Sequence, residues 1–216
     1  MKKFIFLSLI FFVFNYNSFS QIFGKVYEHP KVYHYVSKHK KIAVVPFNYK
    51  ISLKKMPKNT TQDDIVDSEK DGSINAQARL EIFILNKITR GLVNIDLMET
   101  TRVNVLLKRN DIDIHNIQDY LPEEICRTLN VDAIITGQIN STRIMSRGGA
   151  IATQILLGHS VGDKSSASIS IYDKSGTRIW NYGKEITVNA FSNDDDIIRV
   201  LMRKTSRRFP YSEKNF

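Results

Sequence analysis

The apolar positions of the chain form short strand patterns, two of which are nearly continuous. The runs Lys41–Phe47 and Ala133–Ile139 are mostly aliphatic, as expected for strands that are covered on both faces. The second run continues from Asn130 and is entered from a helix, and we expect it to pair with the first. Val93–Met98 alternates apolar and polar residues, which predicts a strand with one wetter face.

One amphipathic helix is predicted between the strands Lys41–Phe47 and Val93–Met98. Ala76–Arg90 places its apolar residues at helical spacing and is followed by Gly91, a residue that commonly ends helices. The preceding segment, Asn48–Ser73, is mostly polar and is interpreted as a long connection, with a short helix inside it as the alternative.

Two shorter helices are predicted between Val93–Met98 and the aliphatic strand Ala133–Ile139. Thr100 or Thr101 is suited to cap a helix that runs through Arg109. A further helix is predicted over Tyr120–Leu129, where Pro122 fits the first turn.

The C-terminal part predicts a hairpin and a final helix. Ala167–Tyr182 contains two alternating strands joined by a turn at Asp173–Gly176. Asp194–Phe209 has acidic residues in its first turn and basic residues in its last, in agreement with the helix dipole. The fold class predicted from these elements is α/β (α+β), a single domain with a mixed central sheet flanked by helices and with a C-terminal hairpin and terminal helix.

The first residues have the layout of a secretory signal peptide. Lys2 and Lys3 precede the apolar core Phe4–Phe14, and cleavage is expected between Ser20 and Gln21. The core is too short for a transmembrane helix, which needs about 20 residues. No cysteine lies near the cleavage site, so we expect an exported protein without a lipid anchor, in the periplasm or at the periphery of the outer membrane. The predicted division is 1–20 signal peptide, 21–40 N-terminal extension, 41–211 α/β domain and 212–216 tail.

The chain is basic, with a formal net charge of +9. A candidate basic patch comprises Lys50, Lys54, Lys55 and Lys58. For an exported protein the anionic partners would be phospholipid head groups, lipopolysaccharide or cell-wall polymer, and not nucleic acid. The alternative is a solvated face that serves solubility.

One motif resembles a catalytic signature. Gly158–Gly162 matches the G-x-S-x-G nucleophile elbow around Ser160. The last histidine, His159, precedes that serine, so no base follows it in the order that esterases use. A triad with His115 as base would need a different fold. We therefore predict no catalytic residues.

The remaining histidines and the cysteine also predict no chemistry. His29, His34 and His39 lie five residues apart, a spacing that separates their side chains in both strands and helices. Cys126, the only cysteine, has no disulfide partner within the chain and is expected to be a small buried residue. No metal site and no cofactor are predicted; the segment 21–40 is interpreted as an edge or docking segment.

The segment Ile144–Ser166 is a candidate partner or membrane segment. Its apolar part contains Gly148, Gly149, Ile151, Ile155, Leu156 and Leu157. Its residues do not alternate as a barrel strand requires, which favours a flexible apolar flap that packs on the domain or on a partner. A membrane-inserted strand and a short buried helix are the alternatives.

The order of the motifs resembles the family of the curli channel subunit CsgG, the LpoB-type activators of penicillin-binding proteins and the amino-terminal domain of TolB. The resemblance covers Lys41–Tyr211 and rests on Lys41–Phe47, Asp132–Gly137, Ile171–Trp180 and Phe209–Tyr211. It implies a three-layer α/β domain that works by protein–protein contact in the periplasm, without catalysis. Unlike the channel subunits, this chain has no cysteine just after the signal.

The function predicted on these grounds is that of an exported, non-enzymatic protein that binds an envelope protein during secretion or envelope assembly. The first alternative is a subunit of a ring-forming outer-membrane channel, which would be a homo-oligomer in contact with the membrane. The second is a cell-wall or lipid-binding module that uses the candidate basic patch.

Overall fold

A computed structural model of the protein describes residues 25–53, 56, 60–143, 163–188 and 209–212. Several predictions lie outside these residues: the signal peptide with Ser20 and Gln21, Lys54, Lys55, Lys58, the segment 144–162 with Ser160, and residues 194–208 of the final helix.

The described residues form one mixed sheet of seven strands and four helices. The strands are β1 Lys25–Glu28, β2 Lys41–Val44, β3 Asn48–Leu53, β4 Asp96–Met98, β5 Ala133–Arg143, β6 Asp163–Asp173 and β7 Arg178–Val188. The helices are α1 Val32–Val36, α2 Gln62–Thr89, α3 Thr100–Arg109 and α4 Pro122–Leu129.

The strand order is β1-β7-β6-β5-β2-β4, and β3 also pairs with β5. β5 pairs in parallel with β2 and β3, whereas β5, β6, β7 and β1 pair antiparallel in succession. The predicted pairing of the two aliphatic runs is confirmed, since Ala43 lies opposite Ile134. Buried side chains on the two faces of the sheet pack against α1 and α2 on one side and against α3 and α4 on the other. The predicted α/β class is confirmed.

The prediction of a long polar connection over Asn48–Ser73 is wrong. Its first six residues form β3, and its last twelve belong to α2. The strand prediction Lys41–Phe47 is correct only as far as Val44. β2 and β3 both pair with β5, and the chain between them bends where Pro46 lacks the N–H group that a ladder needs.

The bend places an aromatic ring over a glycine of the central strand. Gly137 lies in the middle of β5. A Cβ at this position would come within 2.1 Å of Cε2 of Phe47. Glycine is needed here because any side chain would occupy the place of the fully buried Phe47 ring.

Helix α2 begins fourteen residues before the predicted start. Thr61 caps it, because its Oγ1 accepts from the backbone N of Asp64 at 3.2 Å and the Asp64 carboxylate accepts from the backbone N of Thr61 at 2.7 Å. This reciprocal arrangement is a capping box. The predicted end at Gly91 is confirmed by its positive φ of 65°.

The other elements agree with prediction apart from their ends. The expected cap by Thr100 or Thr101 is wrong, since Glu99 occupies the N-cap of α3 without a side-chain bond. The strand predicted over Val93–Met98 is reduced to β4, and Val93 forms an isolated bridge with Ser212. Helix α4 begins at Pro122, two residues after the predicted start at Tyr120, and ends at Leu129 as predicted.

The hairpin is confirmed and is longer than predicted. Its turn includes Gly176 with a φ of 80°, a conformation that favours glycine. Because β6 already begins at Asp163, the last four residues of the predicted flap 144–166 belong to a strand instead.

The segment 25–40 packs onto the same sheet. β1 pairs with β7 as an edge strand, and Val32 and Val36 of α1 join the core. In the described part of the chain, no helix has the length and apolar character that crossing a membrane requires.

Candidate interaction surface

A stripe of polar side chains fastens α2 along an edge of the sheet. β4 pairs with β2 only as far as Ala43, so the following backbone needs other partners. Glu69 Oε1 accepts from Ile51 N at 2.8 Å, Ser73 Oγ donates to Phe47 O at 2.6 Å, and Gln77 Nε2 donates to Val44 O at 2.8 Å. The helix thus satisfies the backbone groups that a further strand would otherwise pair with.

The same stripe joins α2 to α3. Gln77 and Asn104 exchange amide hydrogen bonds of 3.0 Å in both directions. One turn later, Glu81 accepts from the backbone N and the hydroxyl of Thr100 at 2.8 and 2.7 Å. The residue numbers of the bonded pairs rise along α2 while they fall along α3, so the two helices run antiparallel where they meet.

This junction turns apolar side chains of both helices to the same side. Ala78 and Ile82 follow the junction residues of α2, just as Thr101 and Val105 follow those of α3. Each step rotates by about 100° around its helix. Seen along one axis, two antiparallel right-handed helices turn in opposite senses. The residue after each junction residue therefore lies on the same side of the helix pair in both helices.

That side is exposed to solvent. Ile82 is 51% exposed, Val105 43%, and Leu85, one turn beyond Ile82, 45%. We name the surface formed by Ala78, Ile82, Leu85, Thr101 and Val105 the α2–α3 face. The junction residues hold its two ridges in place, so the surface is presented by hydrogen-bonded helices and not by a loop.

Charged residues of both signs border this face. Arg90 at the end of α2 and Arg102, Lys108 and Arg109 on α3 are all exposed. Acids lie among them: Asp71 is exposed on α2 seven residues before Ala78, Glu81 lies at the junction, and Glu99 and Asp111 stand at the two ends of α3. The surface therefore combines an aliphatic centre with a rim that carries charges of both signs.

A second group of polar residues is buried. His39 Nε2 lies 2.9 Å from Asp173 Oδ2, and His39 Nδ1 lies 2.7 Å from Tyr211 Oη. A carboxylate only accepts, so Nε2 donates to Asp173, and in the neutral ring Nδ1 accepts from the tyrosine hydroxyl. The side chains of His39 and Asp173 are only 2% and 10% exposed. The group joins the start of β2, the hairpin turn and the C-terminal segment.

Two pKa shifts fit this structural role. Burial raises the pKa of Asp173, but hydrogen bonds from Ser175 and His39 outweigh it and hold that pKa below its ordinary value. Burial raises the pKa of Tyr211 well above its usual range, so the hydroxyl keeps its proton. Without access for a substrate, this arrangement stabilises the fold and offers no catalysis.

Asp132 and Cys126 are also structural. Asp132 Oδ2 accepts from Lys40 N at 2.8 Å and Lys41 N at 3.1 Å, and Oδ1 accepts from Lys174 Nζ at 3.1 Å. Burial raises the pKa of the Cys126 thiol to about 12, so it is not a nucleophile at neutral pH. The prediction that Cys126 is a small buried residue is confirmed.

The structure does not gather the sequence-predicted site residues. Lys50 is engaged by Glu69, with Nζ and Oε2 3.1 Å apart, and the other lysines of the candidate patch are not described. His34 is exposed whereas His39 is buried. In the described ranges, no group of three or more His, Cys, Asp or Glu residues is placed to hold a metal ion.

His115, the alternative base, lies partly buried in the loop after α3. Its backbone N donates to Asp113 Oδ1 at 2.9 Å. Burial lowers the pKa of its ring. The serine it would have to serve lies outside the described residues, so the structure gives this pairing no support.

The sequence reasoning missed the α2–α3 face, although a signal was present. Five of the six residues in Leu80–Leu85 are apolar. A helix that buries a single stripe has no use for so wide an apolar arc. The excess residues are Ile82 and Leu85, the two that remain exposed.

No protein-family model matches the chain, and no curated protein matches it significantly. Similar solved structures include lipoprotein GNA1162 from Neisseria meningitidis, with 13% identity, a TM-score of 0.45, and 80% of this chain and 98% of that one covered. The LpoB C-terminal domain from Salmonella enterica has 7% identity and a TM-score of 0.34, with 73% and 96% covered. The PelC dodecamer from Paraburkholderia phytofirmans has 12% identity and a TM-score of 0.37, with 88% and 96% covered.

At identities and TM-scores this low, these likenesses do not establish a family, a function or a partner for this chain. LpoB occurs both among these structures and in the resemblance drawn from the sequence. The resemblance to CsgG and to the amino-terminal domain of TolB stays a prediction.

Proposed function

We propose that this chain is an exported, non-enzymatic protein of the bacterial envelope that acts by binding another envelope protein. The signal-peptide pattern supports export. The observation that carries the binding role is the α2–α3 face, where three aliphatic side chains stand about half exposed on two cross-bonded helices.

Single exposed apolar residues are common on monomers, but a group on one rigid surface is typical of an interaction site. A partner that covers Ile82, Leu85 and Val105 removes their remaining surface from water, which contributes on the order of 1 kcal/mol for each side chain. Exposed apolar residues elsewhere, such as Val66 and Leu121, lie on other parts of the described chain.

The test places a photo-cross-linking amino acid at position 105 of the full chain, produced in its native host. We expect an adduct with one envelope protein. Adding Ile82→Asp in the same chain should reduce the yield about tenfold, in line with the loss of an interface hot spot. Val66→Asp is the matched control, because it changes an exposed aliphatic residue of the same helix and should leave the yield unchanged.

Other outcomes would replace this proposal. Equal loss with Ile82→Asp and Val66→Asp, or no adduct at all, contradicts binding through this face. A ring-sized particle in detergent would favour the channel alternative. Salt-sensitive sedimentation with cell-wall or lipid material would favour the wall- or lipid-binding alternative.

A further inference from the structure

The segment 25–40 lies along one edge of the sheet, and a histidine stands near each end of its helix. Its first residues form β1, which pairs with residues 180–183 of β7 and ends the strand order. Helix α1 follows and buries Val32 and Val36. We name residues 25–40 the N-terminal strap. It covers backbone of β7 that would otherwise be an open strand edge, the feature through which sheets add strands of other chains.

His29 fixes the turn between β1 and α1. Its backbone N donates to Ile179 O at 2.9 Å, and its backbone O accepts from Val32 N at 2.9 Å. In the side chain, Nδ1 lies 3.1 Å from the backbone N of Lys31. A backbone N–H group only donates, so Nδ1 accepts in this contact and carries no proton. A proton added to Nδ1 would set two donors against each other and break the contact.

His39, near the other end of the strap, responds differently to a proton. Its Nε2 donates to Asp173, and in the neutral ring its Nδ1 accepts from the Tyr211 hydroxyl. A hydroxyl can also accept, so a protonated His39 keeps Tyr211 as a partner once the O–H group turns. The lowered pKa of Asp173 keeps that carboxylate charged in mild acid, and its contact with His39 then joins two opposite charges. Acidification therefore leaves this end of the strap fastened.

The charges around His29, within the described part of the chain, do not offset the contact that a proton breaks. Glu28 precedes His29 and favours a protonated ring. Lys25, Lys31 and Arg178 lie on the elements that meet there and oppose it. The other titratable side chains around this turn are aromatic: Tyr27, Tyr33, His34 and Tyr35, the last of which touches the His29 ring at a centroid distance of 5.3 Å.

We propose that the N-terminal strap is a proton-sensitive cover of the β7 edge, which loosens at its His29 end in mild acid while His39 holds its other end. Histidine side chains take up a proton between about pH 8 and pH 5. The backbone groups of β7 that β1 occupies at neutral pH then become available to another strand. This inference does not depend on the α2–α3 face.

The test follows amide hydrogen exchange of the full chain by NMR at pH 8 and pH 5. Rates are expressed as protection factors, so that the intrinsic effect of pH on exchange is removed. We expect the protection of the His29 and Val32 amides to fall about fivefold at pH 5, which corresponds to the loss of one hydrogen bond. The Val45 amide, which donates to Ile135 O in the middle of the sheet, should change less than about twofold.

Two variants identify the group that responds to pH. His29→Asn keeps an acceptor, because an asparagine side chain bonds to the backbone N–H group two residues on, but it takes up no proton in this range. This variant should lose the pH response. His34→Asn changes an exposed histidine of the same helix and should keep the response of the wild type.

Three results would overturn the inference. A response that persists in His29→Asn, or one that disappears in His34→Asn, assigns the effect to another group. Equal protection of the His29 amide at both pH values in the wild type shows that the strap does not loosen. If the Val45 amide loses protection to the same extent as the His29 amide, acid loosens the whole sheet and the strap has no response of its own.

Discussion

The buried group His39–Asp173–Tyr211 and the α2–α3 face have opposite properties. The buried group contains the residue types that usually suggest chemistry, yet its histidine side chain is 2% exposed. The face contains only aliphatic and small residues at its centre, yet Ile82 is 51% exposed. Access to solvent, and not residue type, therefore decides which region can act on another molecule. The first region should affect stability, and the second should affect binding.

The largest effect of changing a polar residue is expected for His39→Leu, which removes the donor to Asp173 and the partner of Tyr211. A broken buried polar pair leaves its remaining members unsatisfied, so the free energy of unfolding should fall by about 3 kcal/mol. Urea denaturation followed by tryptophan fluorescence measures this change. His34→Leu is the control, because His34 is exposed on α1; equal losses in both variants would show that the buried group has no special role.

The next effect concerns two glycines of the sheet. Gly137→Ala places a Cβ 2.1 Å from the Phe47 ring, whereas at Gly183 the nearest atom to a new Cβ lies 3.5 Å away. Overpacking should make Gly137→Ala cost about 1–3 kcal/mol. Gly183→Ala should be neutral or slightly stabilising. Thermal unfolding of the two variants decides the matter, and a neutral Gly137→Ala would contradict the packing of Phe47 described above.

The parts of the fold that can be predicted from sequence are those whose own residue pattern specifies the element. The hairpin, the aliphatic strands and the second half of α2 have patterns that are visible over a few residues. β3 was missed because Lys50 and Ser52 make its alternation look like a polar loop. The first half of α2 was missed because few of its buried residues are aliphatic. Besides Ile65 they are Gly72, which lies against the Tyr49 ring, and Ser73, which donates to the carbonyl of Phe47.

The candidate surface was less predictable for a tertiary reason. The apolar excess in Leu80–Leu85 can be read from the sequence, but its meaning depends on the neighbouring helix. Only the bonds of Gln77 and Glu81 to α3 show that the exposed sides of both helices coincide. Nothing in the local pattern of α3 specifies that arrangement.

A smaller effect should appear at low pH. Burial raises the pKa of Asp132, but hydrogen bonds from Lys40, Lys41 and Lys174 outweigh it, and the net shift is downward. Asp173 is shifted in the same direction. A lowered folded pKa contributes stability above the unfolded value of about 4, and that stability is lost as the pH falls through the folded value.

Asp132→Asn should therefore be less stable than the wild type at pH 7, and the difference should shrink as the pH drops below about 4. Urea denaturation at a series of pH values measures it. Asp119→Asn changes an exposed carboxyl and serves as the control. A difference for Asp132→Asn that is independent of pH would mean that its charge does not contribute.

The smallest effect on stability is expected at the face itself. Ile82 and Ile84 are the same residue type two positions apart on α2, but Ile84 is fully buried. Ile84→Ala should cost about 2–5 kcal/mol because it leaves a cavity in the core. Ile82→Ala should change the free energy of unfolding by no more than about 0.5 kcal/mol. Chemical denaturation of the pair measures both. If the two substitutions lower the free energy of unfolding by the same amount, Ile82 is needed for the fold itself. Its exposed side chain would then give no reason to propose a partner at this face.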